Sequence, residues 1–154
     1  THGEHFIFID GEDFNKIKDY TWGLSKHDNI LYAYTKIKGT FVHMHRLLLS
    51  FPENPVDHKN GCSLDNRKEN LRECTTSENG MNQKKQKRKT SSIYKGVYFH
   101  KARKKYISRI KLNQKTIYIG DFENEHDAGK AYNKKALELF GEFARLNIIK
   151  EEEQ

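Results

Sequence analysis

A chain of 154 residues, 35% apolar and 32% charged with a net charge of +7, can form one domain or two small ones beneath a polar surface. No run approaches the roughly 18 consecutive apolar residues of a membrane span and no secretory signal is visible, so a membrane role is not expected. Two cysteines, Cys62 and Cys74, are too few for a disulfide framework or a four-cysteine zinc site, which fits a reduced, intracellular setting, cytoplasmic or nucleoid-associated. The first residue is Thr1 rather than Met, which leaves room for a natural N-terminus further upstream.

In chain order, Phe6–Asp10 reads as a short strand and Gly11 as a turn. Trp22–Ser25, Ile30–Ile37 and Thr40–His43 are rich in aromatic and β-branched residues and are broken at Asp28-Asn29 and Gly39. They predict a small antiparallel sheet, with Trp22 in its core. Met44–Phe51 is an apolar run that predicts a short helix ended by Pro52. His43 and His45 flank Met44, and alternation sends both to one face in structural roles. Pro55 introduces a brief strand at Val56–His58, and Leu71–Cys74 can pair back on it.

Residues 83–92 form a basic linker, and the polar run from Asn82 to Ser92 has no apolar residue. The charge is concentrated around it. Thirteen of the 28 Lys and Arg residues fall between Asn79 and Gly120 with no Asp or Glu, leaving 15 basic against 21 acidic residues elsewhere. Such a block is the footprint of a polyanion partner, where a merely solvated face would intersperse acids. Beyond it Tyr94–His100, Tyr106–Leu112 and Thr116–Phe122 predict three strands, with a tight turn at Asn113-Gln114. Tyr106, Ser108, Ile110 and Leu112 alternate with Ile107, Arg109 and Lys111, so one face buries while the other presents cations. Asn124 is the expected N-cap, with Asp127 at the third helical position. Ala128, Ala131, Tyr132, Ala136, Leu139 and Phe140 then recur at helical spacing. The expected architecture is α+β: residues 1–82 hold a small antiparallel sheet and a strand–strand–helix motif. Residues 93–147 hold a three-stranded sheet packed on one helix, and 148–154 form an acidic tail.

The chemistry-bearing stretch is Val56-Asp57-His58-Lys59-Asn60-Gly61, followed by Leu64 to Arg72 and Thr75 to Asn79. Hydrolysing a phosphodiester needs a base with a near-neutral pKa, a group that fixes its ring, and a hard cation with oxygen ligands. Asp57 and His58 are neighbours on a strand, so their side chains diverge: one can bind metal while the other addresses water. Asn70 falls twelve residues after His58, where its side chain or carbonyl can hold the imidazole. Thr75 or Thr76 can cap a short helix carrying Asn79, whose amide oxygen can be a second ligand. Asn60, Asp65 and Asn66 read as turn residues.

This stretch resembles the H-N-H endonucleases with a ββα-metal site, particularly phage and intron-encoded homing enzymes, from about His45-Arg46 through Asn82. The resemblance implies that Asp57 and Asn79 bind a single magnesium or manganese ion, that His58 is the general base and that Asn70 orients it. Arg46 would stabilise the fold or contact a phosphate. Zinc held by the cysteines and a histidine is the less favoured alternative.

Tyr94-Lys95-Gly96-Val97, Arg109-Ile110-Lys111, Ile117 to Phe122, Ala131-Tyr132-Asn133 and Leu146-Asn147 together resemble the plant ethylene-response-factor DNA-binding domain over about residues 92–147. That likeness implies a sheet laid into the major groove of double-stranded DNA. Carried over by position, Lys95, Tyr98, His100, Arg109, Lys111, Thr116 and Tyr118 would face the groove. Several arginines and tryptophans of the plant pattern are replaced here, so its sequence preference does not transfer.

Two functions compete on these residues. One is a DNA endonuclease that nicks as a monomer or cuts both strands as a homodimer, with a homing-type role implied by the resemblance. The other is a DNA-binding regulator carrying an inert nuclease remnant. An RNA-binding accessory protein is disfavoured because the stacking-aromatic motifs of common RNA modules are absent.

Overall fold

The computed structural model describes residues 4–27, 30–85 and 90–149. The expected Asp28-Asn29 turn, the middle of the basic linker and most of the acidic tail lie outside the described residues. The chain divides into two compact units, Thr1–Asn79 and Gly80–Gln154.

The first unit opens with a 3-10 turn at Gly11–Asp13 that runs into the one-turn helix α1 (Phe14–Ile17). Three strands follow, β1 (Gly23–His27), β2 (Ile30–Ile37) and β3 (Thr40–His43), in an antiparallel sheet of order β1-β2-β3. Lys38 and Gly39, at φ 48° and 81°, make the two-residue turn that matches the right-handed twist of a hairpin, with Ile37 paired to Thr40. Helix α2 (Met44–Leu48) stops earlier than the apolar run predicts. Pro52 disfavours helical geometry at the residue before it, and both Ser50 and Phe51 turn to positive φ, 57° and 59°. The core is Ile17, Ala33, Met44 and Leu48, with Trp22 packed against it and its indole N–H donating to Ile17 O at 3.0 Å.

Two three-residue strands, β4 (Val56–His58) and β5 (Leu71–Glu73), pair antiparallel, with Asp57 opposite Arg72 and His58 opposite Leu71. Helix α3 (Thr76–Met81) follows directly. A pair of such short strands is marginal by itself, and its loop is held from outside. Phe8 N–H donates to Leu64 O at 2.9 Å, Asn66 N–H donates to Phe8 O at 2.8 Å, and Lys68 N–H donates to Asp10 Oδ2 at 2.7 Å. The strand expected at Phe6–Asp10 is therefore a single parallel bridge from Phe8 to Asp65 rather than a sheet member.

The second unit contains β6 (Val97–His100), β7 (Lys105–Leu112) and β8 (Lys115–Phe122), antiparallel in that order, and α4 (Glu125–Phe140). Asn113 and Gln114, at φ 47° and 63°, form the turn between β7 and β8. Asn124 caps α4 as its sequence predicts, Oδ1 accepting the Asp127 N–H at 2.8 Å. Ala128, Tyr132, Ala136 and Phe140 line the buried stripe of α4, against Val97 and Tyr106 at one end and Ile110 and Ile117 at the other. Asn147 then stitches the extended segment after α4 in place. Its side chain takes the Lys95 N–H at 2.6 Å, and its backbone N–H donates to Asn133 Oδ1 at 2.7 Å.

Candidate functional site

Asp57 and His58 sit side by side on β4 and are both 6% exposed. Arg72, opposite on β5, donates Nε and Nη2 to Asp57 Oδ2 at 3.0 and 2.7 Å. A charge-assisted pair of this kind compensates a buried carboxylate and fixes its rotamer. His58 Nε2 lies 3.3 Å from Asn66 Oδ1. Burial pushes the His58 imidazole below its ordinary value, opposed by the Asn66 hydrogen bond and by the Asp57 and Asp65 carboxylates.

The loop between β4 and β5 is built from its own polar side chains. Gly61, at φ 67°, makes the reversal, and its N–H donates to His58 O at 2.7 Å. Asn60 Nδ2 donates to Asp65 Oδ2 at 2.8 Å, while Arg67 grips both Asp65 oxygens at 2.8 Å each. The Arg67 guanidinium holds the Asp65 carboxyl below its ordinary value. Asn70 closes the loop: its Oδ1 accepts the Asn60 N–H at 2.9 Å and its Nδ2 donates to Asp65 O at 2.7 Å. Its own carbonyl accepts the Lys59 N–H at 2.8 Å. Asn60 and Asp65 are thus the turn residues their types predict, whereas Asn66 is 1% exposed and aimed at the imidazole.

Asn79 stands on α3, whose start is closed by a capping box. Thr75 N–H donates to Glu78 Oε2 at 2.7 Å, and Glu78 N–H donates to Thr75 Oγ1 at 3.2 Å. The thiol of Cys74, between β5 and α3, is raised by burial first and then by the Asp57 and Glu78 carboxylates. Asp57 and Asn79 offer a carboxylate and an amide, oxygen donors suited to a hard divalent cation that keeps several waters and completes its shell with phosphate. Among the described residues, no three His, Cys, Asp or Glu side chains converge to hold an ion.

Three imidazoles and a phenol roof this region. His43 stacks on His45 at 5.4 Å between ring centroids, and His45 meets His58 edge-on at 5.1 Å. Tyr32 lies 5.5, 6.0 and 6.4 Å from His43, His45 and His58. Burial, followed by His58, His43 and Arg46, drives the His45 pKa down to about 3, so His45 is neutral in the folded chain at ordinary pH. The unfolded chain binds this proton near pH 6.5 and the folded chain does not until about 3, so His45 makes stability fall as pH drops through that window. Between pH 7 and pH 5 the loss from His45 is expected to be about 2 kcal/mol. The depressed His43 and His58 values add in the same direction. Urea titrations followed by the fluorescence of Trp22, the single tryptophan, check this at the two pH values. A midpoint no lower at pH 5 would refute it.

Arg46 braces the chain after α2, donating to the carbonyls of Pro52 and, at 3.3 Å, Asn54. In the second unit Arg109 pairs with Tyr118 and Lys111 with Thr116, so all four lie on the face of the sheet away from α4. Tyr98 joins them, its ring 4.8 Å beneath the Arg109 guanidinium. Tyr118 is 58% exposed, its hydroxyl donating to Asp121 Oδ1 at 2.8 Å. His100 is at the edge, where Nδ1 accepts the Arg103 N–H at 3.3 Å and caps the turn into β7. Lys95 precedes β6 and lies outside the paired strands. Its ammonium donates to Met81 O at 2.8 Å and Gln83 O at 2.7 Å, and burial lowers its pKa to about 8.

Sequence reasoning did not find Tyr32, Arg72 or the role of Asn66. Only the register of β4 against β5 could have pointed to Arg72, as the residue opposite Asp57.

A family model described as HNH endonuclease matches residues 50–81. An uncharacterized HNH endonuclease of Acanthamoeba polyphaga mimivirus is 30% identical over 152 residues, covering 94% of this chain and 75% of that one. No solved structure matches.

Proposed function

This chain belongs to the HNH endonuclease family, and we propose that it is a DNA endonuclease in which His58 is the general base and Asp57 and Asn79 hold one magnesium or manganese ion. The observation that carries this reading is the pairing on β4 of a buried carboxylate with a buried, depressed imidazole. A neutral ring at ordinary pH is what a base requires. When bound, the cation supplies charge for the scissile phosphate and the leaving oxygen. The remaining work belongs to the chain. Arg72 keeps Asp57 in one rotamer, Asn70 holds the loop closed behind His58, and Arg46 braces the segment leading into β4. His58 takes a proton from water, and the hydroxide so formed attacks phosphorus. One such centre per chain predicts nicking by a monomer, and a double-strand cut from a homodimer.

The second unit is proposed as the duplex-binding module, residues 93–147, preceded by the basic linker 83–92. The family match ends at residue 81, so the ethylene-response-factor likeness rests on the unit's own residues and its three-strand, one-helix topology. Arg109, Lys111, Thr116, Tyr118 and Tyr98 would meet the groove or its phosphates, with His100 at the rim. Lys95 would support this surface from behind.

Supercoiled plasmid incubated with magnesium or manganese is expected to become nicked, and excess chelator to stop the reaction. Absence of metal-dependent nicking across a broad panel of DNA sequences would favour a DNA-binding regulator instead. Arg109→Ala or Lys111→Ala is expected to weaken DNA binding and to lower the log–log salt slope by about 0.9 per lost phosphate contact, with the rate at saturating DNA unchanged. An unaltered slope in both variants would count against this face as the grip.

A further inference from the structure

We propose that Asn66 is a positioning residue for His58, fixing the ring proton on Nε2 so that Nδ1 is the nitrogen that takes the proton from water; this rests on His58 being the general base. The resemblance assigns ring orientation to Asn70, but the hydrogen bonds placed on the Asn70 side chain go to Asn60 N–H and Asp65 O, within the loop. The side chain aimed at the imidazole is Asn66, with Oδ1 3.3 Å from Nε2.

Three observations converge on this role. Asn66 is 1% exposed, among the most buried side chains of the chain, although its residue type favours turns and water. Its Nδ2 makes no hydrogen bond among the described residues, so the amide is only half satisfied. Leaving a buried donor unmet is costly, and a purely structural position is better filled by a residue with no donor to leave. Its backbone, in contrast, is pinned by donation to Phe8 O at 2.8 Å, and the neighbouring Asp65 is gripped by Arg67, Asn60 and Asn70. The loop therefore delivers one acceptor oxygen to one ring nitrogen.

The orientation of the amide follows from the proton balance. In the resting ring, Nε2–H donates to Asn66 Oδ1 and the lone pair is on Nδ1. During attack, an O–H bond of water breaks and an N–H bond forms at Nδ1. The hydroxide oxygen forms a bond to phosphorus, and the leaving oxygen departs with the electron pair of its own P–O bond. The ring is then an imidazolium with two N–H groups, and Nε2–H still donates to the same oxygen. A reversed amide would set its NH2 against Nε2, which suits a lone pair there but opposes the imidazolium. Only an amide with Oδ1 toward Nε2 serves both states of the base.

The wild-type protein, free of metal and DNA, carries the decisive test. Long-range 15N–1H correlation at about pH 8, where an imidazole is neutral, with His58→Gln for assignment, is expected to show Nε2 protonated and Nδ1 pyridine-like. Asn66→Leu, close in shape but without an acceptor, is expected to mix the tautomers. It should also slow nicking at saturating DNA by roughly ten- to a hundredfold with DNA affinity unchanged. Asn66→Asp, which keeps an acceptor oxygen, should retain the Nε2 proton. A wild-type ring protonated on Nδ1 would overturn the proposal, as would a folded Asn66→Leu protein with unchanged tautomer and rate. If Asn66→Leu does not fold, the wild-type spectrum decides alone. An Nε2-protonated ring whose removal leaves nicking intact would instead sink only the general-base reading.

Discussion

His58→Ala is expected to slow metal-dependent plasmid nicking by about a hundred- to ten-thousandfold, the usual range for losing a positioned general base. On the proposed mechanism, water must then give up its proton unaided, while the oxygens proposed as metal ligands, on Asp57 and Asn79, are left in place. The effect should therefore fall on the rate at saturating DNA and not on affinity. Because His58 is 6% exposed and packs on His45 and Tyr32, a folding defect must be separated from a chemical one. His58→Gln fills more of the space and serves as the partner variant, with circular dichroism of both compared to wild type. A folded variant of either kind that nicks at the wild-type rate would remove His58 from the mechanism.

Gly96→Ala is expected to be the most damaging small substitution in the second unit. Gly96 has φ 77°, and a Cβ there would lie 2.1 and 2.2 Å from the Tyr132 ring and 2.6 Å from Arg109 O. The left-handed backbone alone costs a side chain about 1–2 kcal/mol. Overpacking against a buried ring adds about 1–3 kcal/mol. Neither neighbour can yield cheaply: Tyr132 is 3% exposed in the core against α4, and the Arg109 N–H is bonded to Gly96 O at 2.8 Å. In a unit of this size the melting temperature should fall by about 10 °C or more. Thermal circular dichroism checks it, and a shift of only a degree or two would show that the turn before β6 adapts.

Much of this architecture was legible in the residues because it is local. Alternation set the faces of β7, the Asn124–Asp127 pair announced the start of α4, and helical spacing picked out its buried stripe. Asp57 and His58 were legible as neighbours on a strand. What escaped were short elements and long reaches. Gly11 announced the turn that opens the unit, but residues 14–17 make too few turns to show a period, so α1 left no signal. Phe6–Asp10 looked like a strand because its composition is that of one, yet only Phe8 finds a bridge partner. Arg72 meets Asp57 across a pairing of two three-residue strands, and Tyr32 reaches the imidazoles from another sheet. Lys95 carried the charge of a DNA contact, but its ammonium is spent on the carbonyls of Met81 and Gln83, which no pattern in the sequence reveals.

The bridge at Phe8 makes the chemistry answerable to a segment that carries none of it. Asn66 is carried by a loop whose outer edge is fastened to Phe8 and Asp10, more than fifty residues upstream. Peeling residues 6–10 away, by a protease or by a bulky fusion at that end, would let the loop sag and the imidazole swivel. On the proposed reading, such a chain would keep its duplex-binding unit and lose its cut.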